Sequence, residues 1–131
     1  MESNTFLDIL PNNFRHEKSF FVQNNLTDIE KLSNLSDLEI NEIQRTYSLC
    51  TLNNLKKIRA IAIFKKEIAI SPPEAYLLLH SGIGSIESLS RMEPHEIENK
   101  IKRLQRNLRV KSKTNITLSL IKDWIKRANQ F

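Results

Sequence analysis

Apolar residues recur every three or four positions along most of this chain, and that rhythm constrains the fold more than any other feature. Leu55, Ile58, Ile61 and Ala62 share a broad face of the stretch 52–68. Ile97, Ile101, Leu104 and Leu108 fall within roughly 60° when 94–109 is wound at 100° per residue. Leu118, Ile121, Trp124, Ile125 and Ala128 keep the same spacing in 117–129, with Trp124 the expected anchor. Such spacing puts side chains on one face of a helix. Leu and Ile dominate the apolar set, Val occurs only at Val22 and Val110, and there are 2 glycines and 4 prolines. The reading is an all-α fold.

Helix-start signals divide the chain. Thr27 with Glu30, Ser36 with Glu39 and Ser71 with Glu74 spell capping boxes, in which a hydroxyl accepts from the third helical amide and the carboxylate reaches back. Thr51 and Ser85 read as N-caps. Pro72 and Pro94 suit a first helical turn, where the missing N–H has no partner to lose. Helices are expected at 14–23, 28–34, 37–47, 52–68, 72 to the Gly82 stop, 86–91, 94–109 and 117–129. A helix, a short corner and a second helix occur at 37–68 and again at 72–91. The first corner, "SLCT" (48–51), contains no glycine; the second, "SGIGS" (81–85), holds both of the chain's glycines. The organisation is therefore a leader, 1–26, then a domain, 27–131, of two helix-hairpin-helix-like units plus a C-terminal helix.

Charge is split. Residues 1–55 carry four basic and eight acidic side chains, and residues 56–131 carry sixteen and seven. An acidic first half on a basic second half points to an anionic partner for the second, or to attraction between the halves. The single cysteine, Cys50, has no partner for an internal disulfide, which favours a reducing compartment. The start, "MESNTFLDIL", lacks a basic region like that of a secretory signal. No apolar run nears the roughly 18 residues that span a bilayer. A cytoplasmic location and no membrane partner are the expectations.

The stretch "LLLHSGIGSIESL" (77–89) resembles the helix-hairpin-helix motif, in which an apolar helix ends in Gly-hydrophobic-Gly and a second helix begins at once. Glycines permit positive φ and leave amides unobstructed, and the next helix start adds a positive dipole end. Gly82, Ile83, Gly84 and Ser85 could together cradle one phosphate, with Ile83 turned inward. Over 27–129, "SPPEAYLLLHSGIGSIESLSRMEPHEIENKI" and "LIKDWIKRAN" make the chain similar to an uncharacterised bacterial family of cyanobacterial type. That domain of unknown function is built of paired helix-hairpin-helix-like units. The resemblance implies the paired all-α fold and no established activity. Two departures stand out. Glu87 occupies the first turn after the hairpin, and no Lys or Arg lies between Lys66 and Arg91.

The strongest cationic feature is "KIKRLQRNLRVKSK" (100–113), with seven basic residues and no acidic one. Lys102, Arg103, Arg106 and Arg109 lie opposite the apolar arc of their helix, and Lys111 and Lys113 continue the stripe. Such a ridge can track a phosphate backbone. Without interleaved aromatics it does not suggest base stacking. Lys122, Lys126 and Arg127 extend it if the last helix lies alongside.

No catalytic constellation emerges. His16, His80 and His95 are far apart in sequence, so no metal-ligand spacing arises. Cys50 reads as a small buried residue. There is no phosphate-binding Walker loop or nucleophile elbow. Glu93, Glu96 and Glu98 suit a helix start. The expectation is a non-enzymatic module, needing no cofactor, that contacts nucleic-acid phosphates without strong sequence preference. The same residues leave open a protein-interaction or scaffold module, with an acidic protein partner, that keeps the hairpins only as structure.

Overall fold

The computed structural model describes residues 5–108 and 116–131. Its elements are α1 (Thr5–Asp8), a 3-10 turn at Asn12–Phe14, α2 (Arg15–Gln23), α3 (Ile29–Ser33), α4 (Asp37–Thr46), α5 (Leu52–Ile68), α6 (Pro72–His80), α7 (Ile86–Ser90), α8 (Pro94–Leu108) and α9 (Leu118–Gln130). The fold is all-α, and among the described residues there is no strand.

One core runs through the molecule. Helix α5 lies at its centre, touching α3, α4, α6 and α9, while α7 and α8 pack on α9. Leu55, Ile58, Ile61 and Ala62 are buried along one side of α5, and Phe64 and Ile68 off its edge are buried too. A helix buried on two sides needs apolar residues around much of its girth. Trp124 is buried at the centre of α9, as its position in the apolar stripe anticipates.

The stretch 1–26, read from sequence as a leader, contributes Phe6, Leu7, Leu10, Phe14, Phe20 and Phe21 to the same core. Phe14 meets Tyr76 of α6 edge-on at 5.8 Å. Asn54 Nδ2 donates to the Asn13 carbonyl at 3.2 Å. The side chain of Glu17 is as buried as the phenylalanines around it, at 1% exposure. One carboxylate oxygen accepts from the Thr51 amide at 2.9 Å, and the other from Asn54 Nδ2 at 3.4 Å. Glu17 thereby supplies an anion to the start of α5, where free amides and the positive dipole end favour one.

The caps follow the sequence in part. Ser36 and Glu39 make both bonds of a capping box. Thr51, Ser85 and Thr117 each accept from the amide three residues on. Two expected boxes do not form. Helix α3 starts one residue later than the Thr27 reading requires, because Asp28 takes the cap and accepts from the Glu30 amide at 3.0 Å. Ser71 is the N-cap residue of α6 but makes no side-chain cap bond. Pro72 has no N–H, which leaves α6 one fewer donor to satisfy.

Helix α5 ends at Ala69, in the left-handed region at φ 58°. Its terminal carbonyls are met from far along the chain. Arg127 of α9 donates to the Ile68 carbonyl at 3.0 Å and to the Ala69 carbonyl at 3.3 Å, and also to Asp123. A cation suits this negative end of the helix dipole.

Candidate functional site

The glycine corner between α6 and α7 is built as a helix stop. Gly82 takes φ +91°, a left-handed conformation that a Cβ would strain. The Gly82 amide donates to the Leu79 carbonyl at 3.0 Å and the Ile83 amide to the Leu78 carbonyl at 2.9 Å. This pair of bonds is the Schellman arrangement, which satisfies the last carbonyls of a helix. Ile83 is buried, locking the corner to the core. Gly84 lacks a positive φ, and a Cβ there would meet only Leu79 Cδ2 at 3.8 Å.

Two of the four corner amides proposed to face a phosphate are thus bonded within the protein. Beyond them, Gly84, Ser85 and Ile86 border a recess of about 190 Å³ shared with Ala60, Ile63 and Phe131. That surround is apolar, with no cation to hold an anion. Glu87 pairs with Arg91 at 2.8 Å, so the first arginine after the corner in sequence already faces a carboxylate.

The amphipathic reading of α8 matches its burial. Ile97 and Ile101 are buried and Leu104 packs against the core. Lys102, Arg103 and Arg106 are exposed on the other side. Lys102 lies 3.4 Å from Glu98, one turn back. Arg103 and Arg106 make no ion pair with a described residue. Arg109, Lys111 and Lys113 lie outside the described residues. On α9, Lys122 and Lys126 are exposed, while Arg127 is engaged at the end of α5 and does not extend the ridge freely.

Of the groups weighed for chemistry, Cys50 and His16 lie together: the Cys50 thiol donates to the His16 carbonyl at 3.8 Å, and both line a recess of about 350 Å³. Cys50 is buried at the first corner. Burial pushes its thiol pKa up, and the Glu17 carboxylate adds to the shift, so the nucleophilic thiolate is disfavoured. Desolvation, then the charge of Lys57, lowers the pKa of His80, whose ring meets Tyr76 edge-on at 4.2 Å. A charged imidazole at the end of α6 is therefore disfavoured. Among the described residues, no group of three His, Cys, Asp or Glu side chains is placed to hold a metal ion. No described helix is long and apolar enough to cross a membrane.

A further concavity lies where sequence reasoning did not look. Helices α3 and α4 both pack on α5, and the space between them is an open cleft of about 790 Å³. That size is within the range of ligand-binding clefts. Its apolar surface comes from Leu26, Leu35, Leu38 and Ile43. Leu35 and Ile43 belong to the core, whereas Leu38 is 74% exposed. The available signal was the pair of short helices joined by only three residues, 34–36. So tight a link leaves little freedom to close two helices along their length.

These features define a class: a small, all-helical domain in which short helices and tight corners surround one central helix. The chain belongs to a family described as a domain of unknown function (DUF4332), whose model matches residues 11–131. No curated protein and no solved structure matches it.

Proposed function

We propose that this domain is a non-enzymatic protein-interaction module whose docking site is the α3–α4 cleft. The observation that carries this reading is Leu38, a large apolar side chain 74% exposed beside a concave apolar surface. Burying such a side chain in a partner is worth about 1.5–3 kcal/mol. In this reading the α4–α5 and α6–α7 corners are paired helix-hairpin-helix-like units kept as structure, since the Gly82 and Ile83 amides cap α6. The test is a photo-crosslinking residue placed at position 38, with position 49, exposed but outside the cleft, as control. Position 38 should give a discrete protein adduct in cells that make the domain, and the purified pair should form it again. No adduct, or the same adducts from both positions, would refute the reading.

A second reading rests on α8. The exposed Arg103 and Arg106, with Lys102 beside them, suit contact with a nucleic-acid phosphate backbone without help from the glycine corner. Three to five neutralised phosphates would give a slope of about −3 to −4 in log K against log salt. Replacing both arginines by glutamate should abolish that binding. A salt-insensitive affinity that survives the replacement would exclude it.

A further inference from the structure

Resting on the cleft reading, we infer that the α3–α4 cleft takes a cationic amphipathic helix from a protein partner. The argument starts with the two sides of the cleft. Asp28 and Glu30 line it from the α3 side, and Glu39 and Glu42 from the α4 side, against a single lysine, Lys31. Asp28, Glu30, Glu39 and Glu42 are exposed. Glu42 has a loose companion in Arg45 at 3.6 Å, both well exposed, and such a pair is weak in water. Asp37, just outside the cleft, is matched by Arg59 at 2.9 Å. The cleft thus offers apolar surface between two acidic rims.

That pattern selects its occupant. An amphipathic helix presents apolar side chains at i, i+3 or i+4, and i+7 as one row, with other side chains flanking on either side. Leucine-like anchors would lie along Leu26, Leu35, Leu38 and Ile43, and flanking lysines or arginines would reach both rims. Complementary charge fixes orientation and speeds encounter. A phosphate backbone would meet four carboxylates here and be repelled. Adding a β-strand needs an exposed sheet edge, which the described residues do not provide. A second copy of this chain is a poorer occupant. Its own cationic amphipathic helices, α8 and α9, already bury Ile97, Ile101, Ile121 and Trp124.

Fluorescence anisotropy tests the inference with a labelled synthetic helix of roughly three to four turns. One form carries leucines in the anchor row and lysines on the flanks; its twin carries glutamates in place of the lysines. At near-physiological salt the lysine probe should bind at least about 10-fold more tightly than the twin. Leu38→Asp, and separately Glu30→Gln with Glu42→Gln, should each weaken the lysine probe about 10-fold while the far-ultraviolet circular dichroism of the helical fold is kept. Equal binding of the two probes, or indifference to both variants, overturns the inference. Self-association of the domain that Leu38→Asp dissolves also overturns it, since the cleft would then hold a second copy. A specific adduct at position 38 with no preference for the lysine probe refutes the partner class while sparing the interaction module. Failure of both experiments removes both.

Discussion

The α4–α5 and α6–α7 corners each carry the chain from one helix into the next, but they draw support from different places. The second takes its hydrogen bonds from its own residues. Gly82 supplies the left-handed turn, the Gly82 and Ile83 amides close the end of α6, Ile83 is buried, and Ser85 accepts from the Ser88 amide. Every part lies within a dozen residues. The first corner has no glycine. The Tyr47 amide bonds back to the Ile43 carbonyl, Cys50 is buried, and Thr51 caps α5. The amide of Thr51 itself is held by Glu17, 34 positions earlier. A corner without glycine can thus be made rigid by a buried carboxylate from elsewhere in the chain, and its order then depends on that distant segment.

The sharpest way to test the locally bonded corner is to remove its anchor in the core. Ile83→Ala should cost about 3 kcal/mol, through lost burial and the cavity left behind, measured by denaturant unfolding. A loss below about 1 kcal/mol would mean that the corner does not depend on the core. The borrowed support comes next. Glu17→Ala should cost about 2 kcal/mol, as expected for a buried charge-assisted hydrogen-bond pair. It should also speed hydrogen exchange at Thr51 and leave Gly82 and Ile83 protected. Equal loosening of both corners would show that they are one unit. The smallest effects separate the glycines. Gly82→Ala should cost about 1 kcal/mol, entirely from its left-handed backbone, because a Cβ there has nothing within 4 Å. Gly84→Ala should change stability by less than about 0.5 kcal/mol. If the two alanine variants lose equal stability, positive φ is not what the first glycine supplies.

The same contrast explains what the sequence discloses. Local features are legible: the apolar spacing of α5, α8 and α9, the Ser36–Glu39 box, and Gly82 as the stop of α6. Each depends on residues within a turn or two of one another. Even locally, competition defeats pattern, since Asp28 outcompetes Thr27 for the cap of α3. Features that need the tertiary arrangement are hidden. Glu17 lies at helical spacing from Phe14, Phe20 and Phe21, so a carboxylate within an apolar stripe was a usable sign of a buried partner. Nothing nearby identified Thr51 as that partner. Arg127 reads as one more cation of a basic half, and only folding brings it to the end of α5. The cleft depends on how α3 and α4 seat on α5, and periodicity carries no information about that.

The bonds from Arg127 to the end of α5 bear on how such chains can be recombined. Their partners are 59 and 58 positions apart, so α5 and the final helix share a fastening and are not interchangeable cassettes. A chimaera that kept residues 5–70 but took its final helix from a sequence lacking this guanidinium would leave two carbonyls bare at the seam. Transplanting either half therefore requires moving the arginine with it.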